Sequence, residues 1–272
     1  MQFCQIERFL EDIIGLRRFK NNKEIFGLEF GKNYPYRQIN KIMLTVDISL
    51  ESLHFSVMNK INMIITHHSF LKNPVSQFDN LLTNKLILLT KNLPLIYTLN
   101  SSFIYSKDGI FDTLIDLLYL EMVKTDLLQT EEKIESLFKI TKPKLLMNES
   151  TFTLRTLLNR ILNNLNINFI EYVGNLDRSI KKICLFAEPK NKIEFLKKKV
   201  NYGCDCFISF DFNHSEHILA DDLGICLIKI PHYRVDLITM KKLKNILSLE
   251  FPNEEFSIFE RSEYFKIFEK NL

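Results

Sequence analysis

Tryptophan is absent from the chain, and glycine and proline number only seven each in 272 residues. The scarcity of both suggests a compositionally biased source rich in Phe, Asn, Lys and Ile. Neither a G-x-x-x-x-G-K-[ST] loop nor a G-x-G-x-x-G turn occurs, so no nucleotide phosphate site can be named from motif. No apolar run approaches the ~18 residues of a membrane span. The first residues, Met1-Gln-Phe-Cys-Gln-Ile-Glu, lack a basic segment followed by an apolar one, so no signal peptide is expected. Five cysteines, an odd number without a C-x-x-C pair, argue against both a disulfide framework and a structural zinc site. Cys204-Asp-Cys206 is a C-x-C, but Cys206 falls in an apolar run where buried free thiols are common. Charge of one sign is also lacking: 36 basic and 33 acidic residues leave +3. That surplus gives little attraction for phosphate and speaks against nucleic-acid binding. Lys197-Lys-Lys199 reads as a solvated helix face, since no aromatic platform is interleaved with it. These absences together lead us to expect a soluble, reduced, intracellular protein, cytoplasmic or nuclear, with no membrane partner.

What is present is ordinary for a globular chain: 46% hydrophobic, 25% charged, with 23 Phe available for a core. Ile6, Phe9, Leu10, Ile13 and Ile14 recur at helical steps and predict an amphipathic first helix. Ile42-Met-Leu-Thr-Val46, Met63-Ile-Ile65 and Pro94 to Leu99 are short apolar runs that read as buried strands. Ser49 is placed to cap a helix running to about Lys60, and Asp108 to cap one from Gly109 to about Leu120. Residues 122–149 turn polar and contain Lys142-Pro143, which reads as a boundary or an inter-lobe segment. A second alternation follows: a helix from Thr153, strands at Ile167–Val173, Ile180–Ala187, Asp205–Ser209 and Ile225–Ile230, and helices near 190–203, 214–222 and 237–247. A closing strand is expected near Phe256–Phe259. Alternating strands and helices predict an α/β fold. The expected organisation is two lobes, 1–124 and 125–272, with segments free to cross between them.

One stretch stands out chemically, Thr66-His67-His68-Ser69, directly after the run Met63–Ile65. Ligands in α/β sheets lie beyond the carboxyl ends of strands. Successive side chains on a strand point to opposite faces, so both imidazoles can serve one site only where the strand breaks into a loop. His232 and Asp236, four apart across an expected loop-to-helix junction, could add an imidazole and a carboxylate. Such donors suit Zn, Mn, Fe or Ni without choosing among them. Spacing alone leaves hydrogen-bonded structural histidines the commoner reading.

Several segments resemble, in order, those of the NGG-interacting-factor-three-like proteins, also called the dinuclear metal-centre family. Ile64-Ile-Thr-His67-His68-Ser69 is similar to its I-I-T-H-H-P, Gly27-Leu-Glu-Phe-Gly31 to N-G-L-Q-V-G, and Leu44-Thr-Val-Asp47 to its A-L-D-V-T strand. Tyr202-Gly-Cys-Asp205-Cys-Phe-Ile-Ser-Phe-Asp211-Phe-Asn-His214 resembles G-A-D-V-F-I-T-G-[ED]-x-x-x-H. Pro231-His232-Tyr233-Arg-Val-Asp236 resembles G-H-Y-x-[TS]-E. The resemblance implies a two-lobed α/β protein, each lobe a mixed sheet flanked by helices, with a metal-site cleft between them. It also implies a ring-shaped homohexamer with metal ligands at His67, His68, His232 and Asp236, the last one methylene shorter than the family's Glu. The family's third motif, H-T-N-L-D, falls on Asn100 to Ile104, so an amide replaces its His and an Ile its Asp. Phe210 and Pro231 stand where the family has glycine. The implied site is a divalent metal centre holding one ion or none rather than two. Some family members carry the label GTP cyclohydrolase type 2, but opening the guanine ring needs an intact hydrolytic metal centre. The resemblance thus implies a hydrolase-type metal protein of unnamed substrate, or alternatively a non-catalytic interaction protein with a protein partner on the same oligomeric scaffold.

Overall fold

A computed structural model describes residues 1–14, 26–31, 36–71, 75–130, 133–145, 151–187 and 191–261. In chain order the elements are α1 (Phe3–Ile14), β1 (Gly27–Phe30), β2 (Lys41–Thr45), α2 (Leu50–Met58), β3 (Met63–Thr66), α3 (Asn80–Asn92) and β4 (Leu95–Thr98). Then come α4 (Asn100–Tyr105), α5 (Ile110–Leu117), β5 (Leu120–Thr130), β6 (Lys133–Pro143), α6 (Leu154–Leu165), β7 (Glu171–Val173) and β8 (Ile183–Phe186). The chain closes with α7 (Lys192–Asn201), β9 (Cys206–Ser209), α8 (His214–Leu223), β10 (Cys226–Lys229), α9 (His232–Glu250) and β11 (Glu255–Ile258). Two units result: Met1–Glu7, Ile25–Asn100 and Met240–Leu272 form one, and Arg8–Glu24 and Ser101–Thr239 the other.

The first unit is built on a five-stranded sheet, β1-β4-β3-β2-β11. β2, β3 and β4 run parallel in direct register, Leu44 opposite Ile65 and Ile65 opposite Tyr97. β1 joins β4 antiparallel, which makes the sheet mixed. Every residue of β3 and β4 is buried, which is why both strands read as unbroken apolar runs rather than alternating ones. Met43, Ile64 and Ile96 from one face pack with Leu53, Leu88 and Leu89 of α2 and α3. The expected cap at Ser49 is there, with Ser49 and Ser52 each accepting the other's backbone N–H. β11 arrives from the far end of the chain and pairs parallel with β2.

The second unit carries a six-stranded sheet, β5-β6-β8-β9-β10-β7, also mixed. β8, β9 and β10 are parallel, whereas β6 on one side and β7 on the other run antiparallel to them. Phe138, Phe186, Phe195 and Phe207 fill one face together with Cys184, Leu196 and Leu227. The polar stretch read as a boundary is instead the hairpin of β5 and β6. Asp108 does not cap a helix: Gly109 is the N-cap residue of α5 and makes no side-chain cap bond. Asp108 has a left-handed φ of 61° and donates its N–H to Asp112 Oδ2 at 3.1 Å.

Lys199 corrects the reading of the lysine run. Helical geometry sets it one turn from Phe195, so it faces inward while Lys197 and Lys198 face solvent. Its ammonium lies 3.4 Å from the Phe138 ring centroid, with Phe195 and Tyr202 at 5.5 and 5.1 Å. A cation held this way is worth about 1–2 kcal/mol.

All five cysteines are free thiols, and four are buried. Burial drives the Cys184 and Cys206 thiols well above their ordinary range, and takes Cys226 from 9.0 to about 11. A hydrogen bond from Cys184 lowers Cys204. A thiol whose folded pKa is raised stabilises the fold below its unfolded value, and that contribution is lost as pH rises through the folded value. For Cys226 the window is therefore 9 to 11, and the loss is on the order of 3 kcal/mol. Urea midpoints measured at about pH 8 and about pH 11 should fall less for Cys226→Ala than for wild type; equal falls would contradict this.

Candidate metal centre

Strand ends place two of the candidate donors. β3 stops at Thr66, so His67 and His68 lie just beyond it and escape the alternation that would have sent them to opposite faces. The backbone ladder nevertheless continues. His67 N–H donates to Thr45 O at 3.2 Å and His68 N–H to Val46 O at 3.0 Å, while Asn100 N–H donates to His67 O at 2.8 Å. Thr66 Oγ1 lies 3.0 Å from Val46 O and 3.1 Å from His68 O. The two rings stack, centroids 4.3 Å apart and planes 28° apart, and their ligand atoms lie within 4.8 Å of each other. His67 is 1% exposed.

Two carboxylates that sequence reasoning left without a role support these two histidines. Asp47 Oδ1 is 3.0 Å from His68 Nδ1. Glu29, on β1, accepts from the Thr98 hydroxyl at 2.6 Å, from the Phe70 and Leu71 N–H groups at 2.9 Å each, and from the Ser69 hydroxyl. It thereby pins the loop that leaves the histidines to β1, the antiparallel edge strand beyond β4. The usable signal was topological. A carboxylate one residue past Val46, at the end of a strand parallel to the histidine strand, belongs beside them.

α9 carries the other two candidate donors. The helix starts at His232, immediately after Pro231, rather than near Leu237, so the expected loop-to-helix junction is an uninterrupted helix. Residues i and i+4 share a helix face, and His232 Nε2 lies 3.4 Å from Asp236 Oδ2. Asp236 is fully buried, whereas His232 is partly exposed. Arg234 fastens this turn by donating from Nε to Leu165 O at 2.8 Å and from Nη2 to Asn166 O at 3.2 Å, at the C-terminal end of α6. Phe210, at a family glycine position, stacks on the His232 ring at 4.1 Å and 19°. Phe111 stacks on Phe210 in turn, at 6.2 Å and 17°.

Asn100 opens α4 with a left-handed φ of 48°, and its backbone, by holding His67 O, serves that loop. Ile104, in the same short helix, is 9% exposed and offers only hydrocarbon. No helix among the described residues is long and apolar enough to cross a membrane.

Comparison with known proteins agrees with this picture of the fold. A GTP cyclohydrolase 1 type 2 homolog of Methanocaldococcus jannaschii is 24% identical over 241 residues, spanning 85% of this chain and 89% of the relative. One from Clostridium perfringens is 26% identical over 240 residues, spanning 86% of each. Among solved structures, Staphylococcus aureus protein SA1388 superposes with a TM-score of 0.76 at 17% identity, covering 98% of this chain and 99% of that one. Reduced HcgD from Methanocaldococcus jannaschii gives 0.75 at 23% identity, covering 95% and 97%. The family model Duf34/NIF3 (NGG1p interacting factor 3) matches residues 1–263. The chain therefore belongs to the Duf34/NIF3 (NGG1p interacting factor 3) family.

Proposed function

We propose that His67, His68, His232 and Asp236 together hold one divalent transition metal, and that the protein is a mononuclear, hydrolase-type member of its family. The observation that carries this reading is the donor set: three imidazoles and one carboxylate, a group suited to a metal ion. Nitrogen-rich donors with one carboxylate fit Zn, Mn, Fe or Ni. Two further donors of the family pattern are missing. Asn100 offers a neutral amide and Ile104 none, so a second ion would lack both ligands and compensating charge. A divalent ion bound here would supply Lewis acidity, polarising a phosphoryl or carbonyl oxygen.

The chain's own groups supply the rest. Backbone bonds to Thr45 and Val46 fix where His67 and His68 begin, and their stack limits how the rings turn. Asp236 brings the one negative charge of the set, and its burial favours pairing over exposure to water. Phe210 restricts the His232 ring from one face. The relatives' name points to GTP, but we do not extend that substrate to this chain, since it has no nucleotide motif and two family ligands are lost. Assembly as a homo-oligomer, a hexamer by family resemblance, is part of the proposal; a monomeric mass by light scattering would contradict it.

Asn100 and Ile104 also favour a second reading, a non-catalytic scaffold that binds a protein partner. Elemental analysis of tag-free protein separates the two. About one zinc, manganese, iron or nickel per chain supports the metal reading, and none after incubation with each ion supports the scaffold.

A further inference from the structure

Beyond the four donors, the geometry points to Asp47 as the positioning residue of His68: it fixes the ring as the Nδ1–H tautomer and so makes Nε2 the atom through which the ring acts as a ligand. Asp47 follows β2 as His68 follows β3, and the two strands are paired in parallel register with Thr45 opposite Thr66. The His68 N–H bond to Val46 O holds the two backbones together one residue before Asp47. Thr45 Oγ1 donates to the Asp47 carbonyl at 3.0 Å, fixing the turn from which the carboxylate projects. Its Oδ1 then meets His68 Nδ1 at 3.0 Å.

An ionised carboxylate only accepts, so the ring nitrogen facing it must carry the proton. The lone pair is then on Nε2. The stack on His67 constrains the plane of the same ring, so tautomer and orientation are set by two different neighbours. The pair is not a stability device: Asp47 keeps 50% of its side-chain surface and His68 25%, and ion pairs that exposed contribute little. A carboxylate behind an imidazole is instead the arrangement that raises ligand basicity and holds the ring for a metal. The consequence for metal affinity rests on the proposed metal reading, whereas the tautomer does not.

The test uses the full-length, metal-free protein with 15N-labelled histidine. Long-range 1H–15N correlation at about pH 8.5, where an ordinary imidazole is neutral, reads the tautomer; the His68 signals are assigned by their loss in His68→Gln. Wild type should show His68 protonated on Nδ1, Asp47→Ala should lose that state, and Asp47→Asn, whose amide oxygen can still accept, should keep it in part. Zinc titration should then show affinity about 10–100-fold weaker for Asp47→Ala, with Asp47→Asn between it and wild type. The melting temperature of Asp47→Ala should stay within about 2 °C of wild type, as for an exposed pair. A wild-type ring protonated on Nε2, or zinc affinity unchanged in Asp47→Ala, would overturn the assignment. Failure of wild type to bind zinc, with the tautomer still dependent on Asp47, would sink the metal reading alone and leave Asp47 as the group that sets the ring.

Discussion

Replacing His67 and His68 together by alanine should abolish stoichiometric metal binding and leave the fold in place. Two of four donors disappear, and the remaining pair, His232 and Asp236, can offer one nitrogen and one carboxylate. Divalent ions in protein sites of this kind need three protein ligands or more, so retention should fall from about one ion per chain to background. Stability should change far less than for a core deletion. His67 is buried but sits beyond the strand, and the backbone bonds that fix the loop come from N–H and C=O groups that alanine retains. Metal content and circular dichroism on the same samples check both halves of the expectation. Undiminished metal in the double variant would remove these histidines from the site, and a collapsed spectrum would show that their role is structural.

The largest loss of stability is expected at Phe207. It is fully buried on β9, which is paired on both sides in the six-stranded sheet, with β8 and β10. In register, Phe207 lies beside Cys184 on β8 and Leu227 on β10, and all three belong to one apolar cluster. Its ring meets Phe186 edge-on at 6.4 Å. Phe207→Ala removes the ring and leaves a cavity that flanking strands cannot close, at a cost of about 3–5 kcal/mol. Set against the ~5–15 kcal/mol by which domains are usually stable, that is about a fifth of the total or more. A fall in urea stability below about 1 kcal/mol would contradict the assigned packing.

The legibility of these features in the sequence follows from how local their causes are. Met63–Ile65 reads as a strand because both faces of β3 are covered, so burial shows as an unbroken apolar run. The histidines then read as a site because a strand end is a local event. β5 and β6 were hidden for the opposite reason. Their pairing shifts register between Met122 and Lys124 and again between Leu128 and Gln129, and each shift breaks the period of two by which a strand is recognised. The early start of α9 was missed because Tyr233 and Arg234 interrupt the apolar pattern of its first turn, although Pro231 marks it. Pairings such as β11 with β2, or Glu29 with the loop after His68, join residues far apart in the chain. Periodicity carries no information about them. The stack of Phe210 on His232 was visible only as a lost glycine, since sequence shows the substitution and not the ring it covers.

Anomalous diffraction from crystals grown with zinc, recorded on both sides of the zinc edge, decides whether these four residues hold a single ion. One strong peak per chain is expected, about 2 Å from nitrogen atoms of His67, His68 and His232 and from an oxygen of Asp236. Two peaks, a peak away from these residues, or none would contradict it.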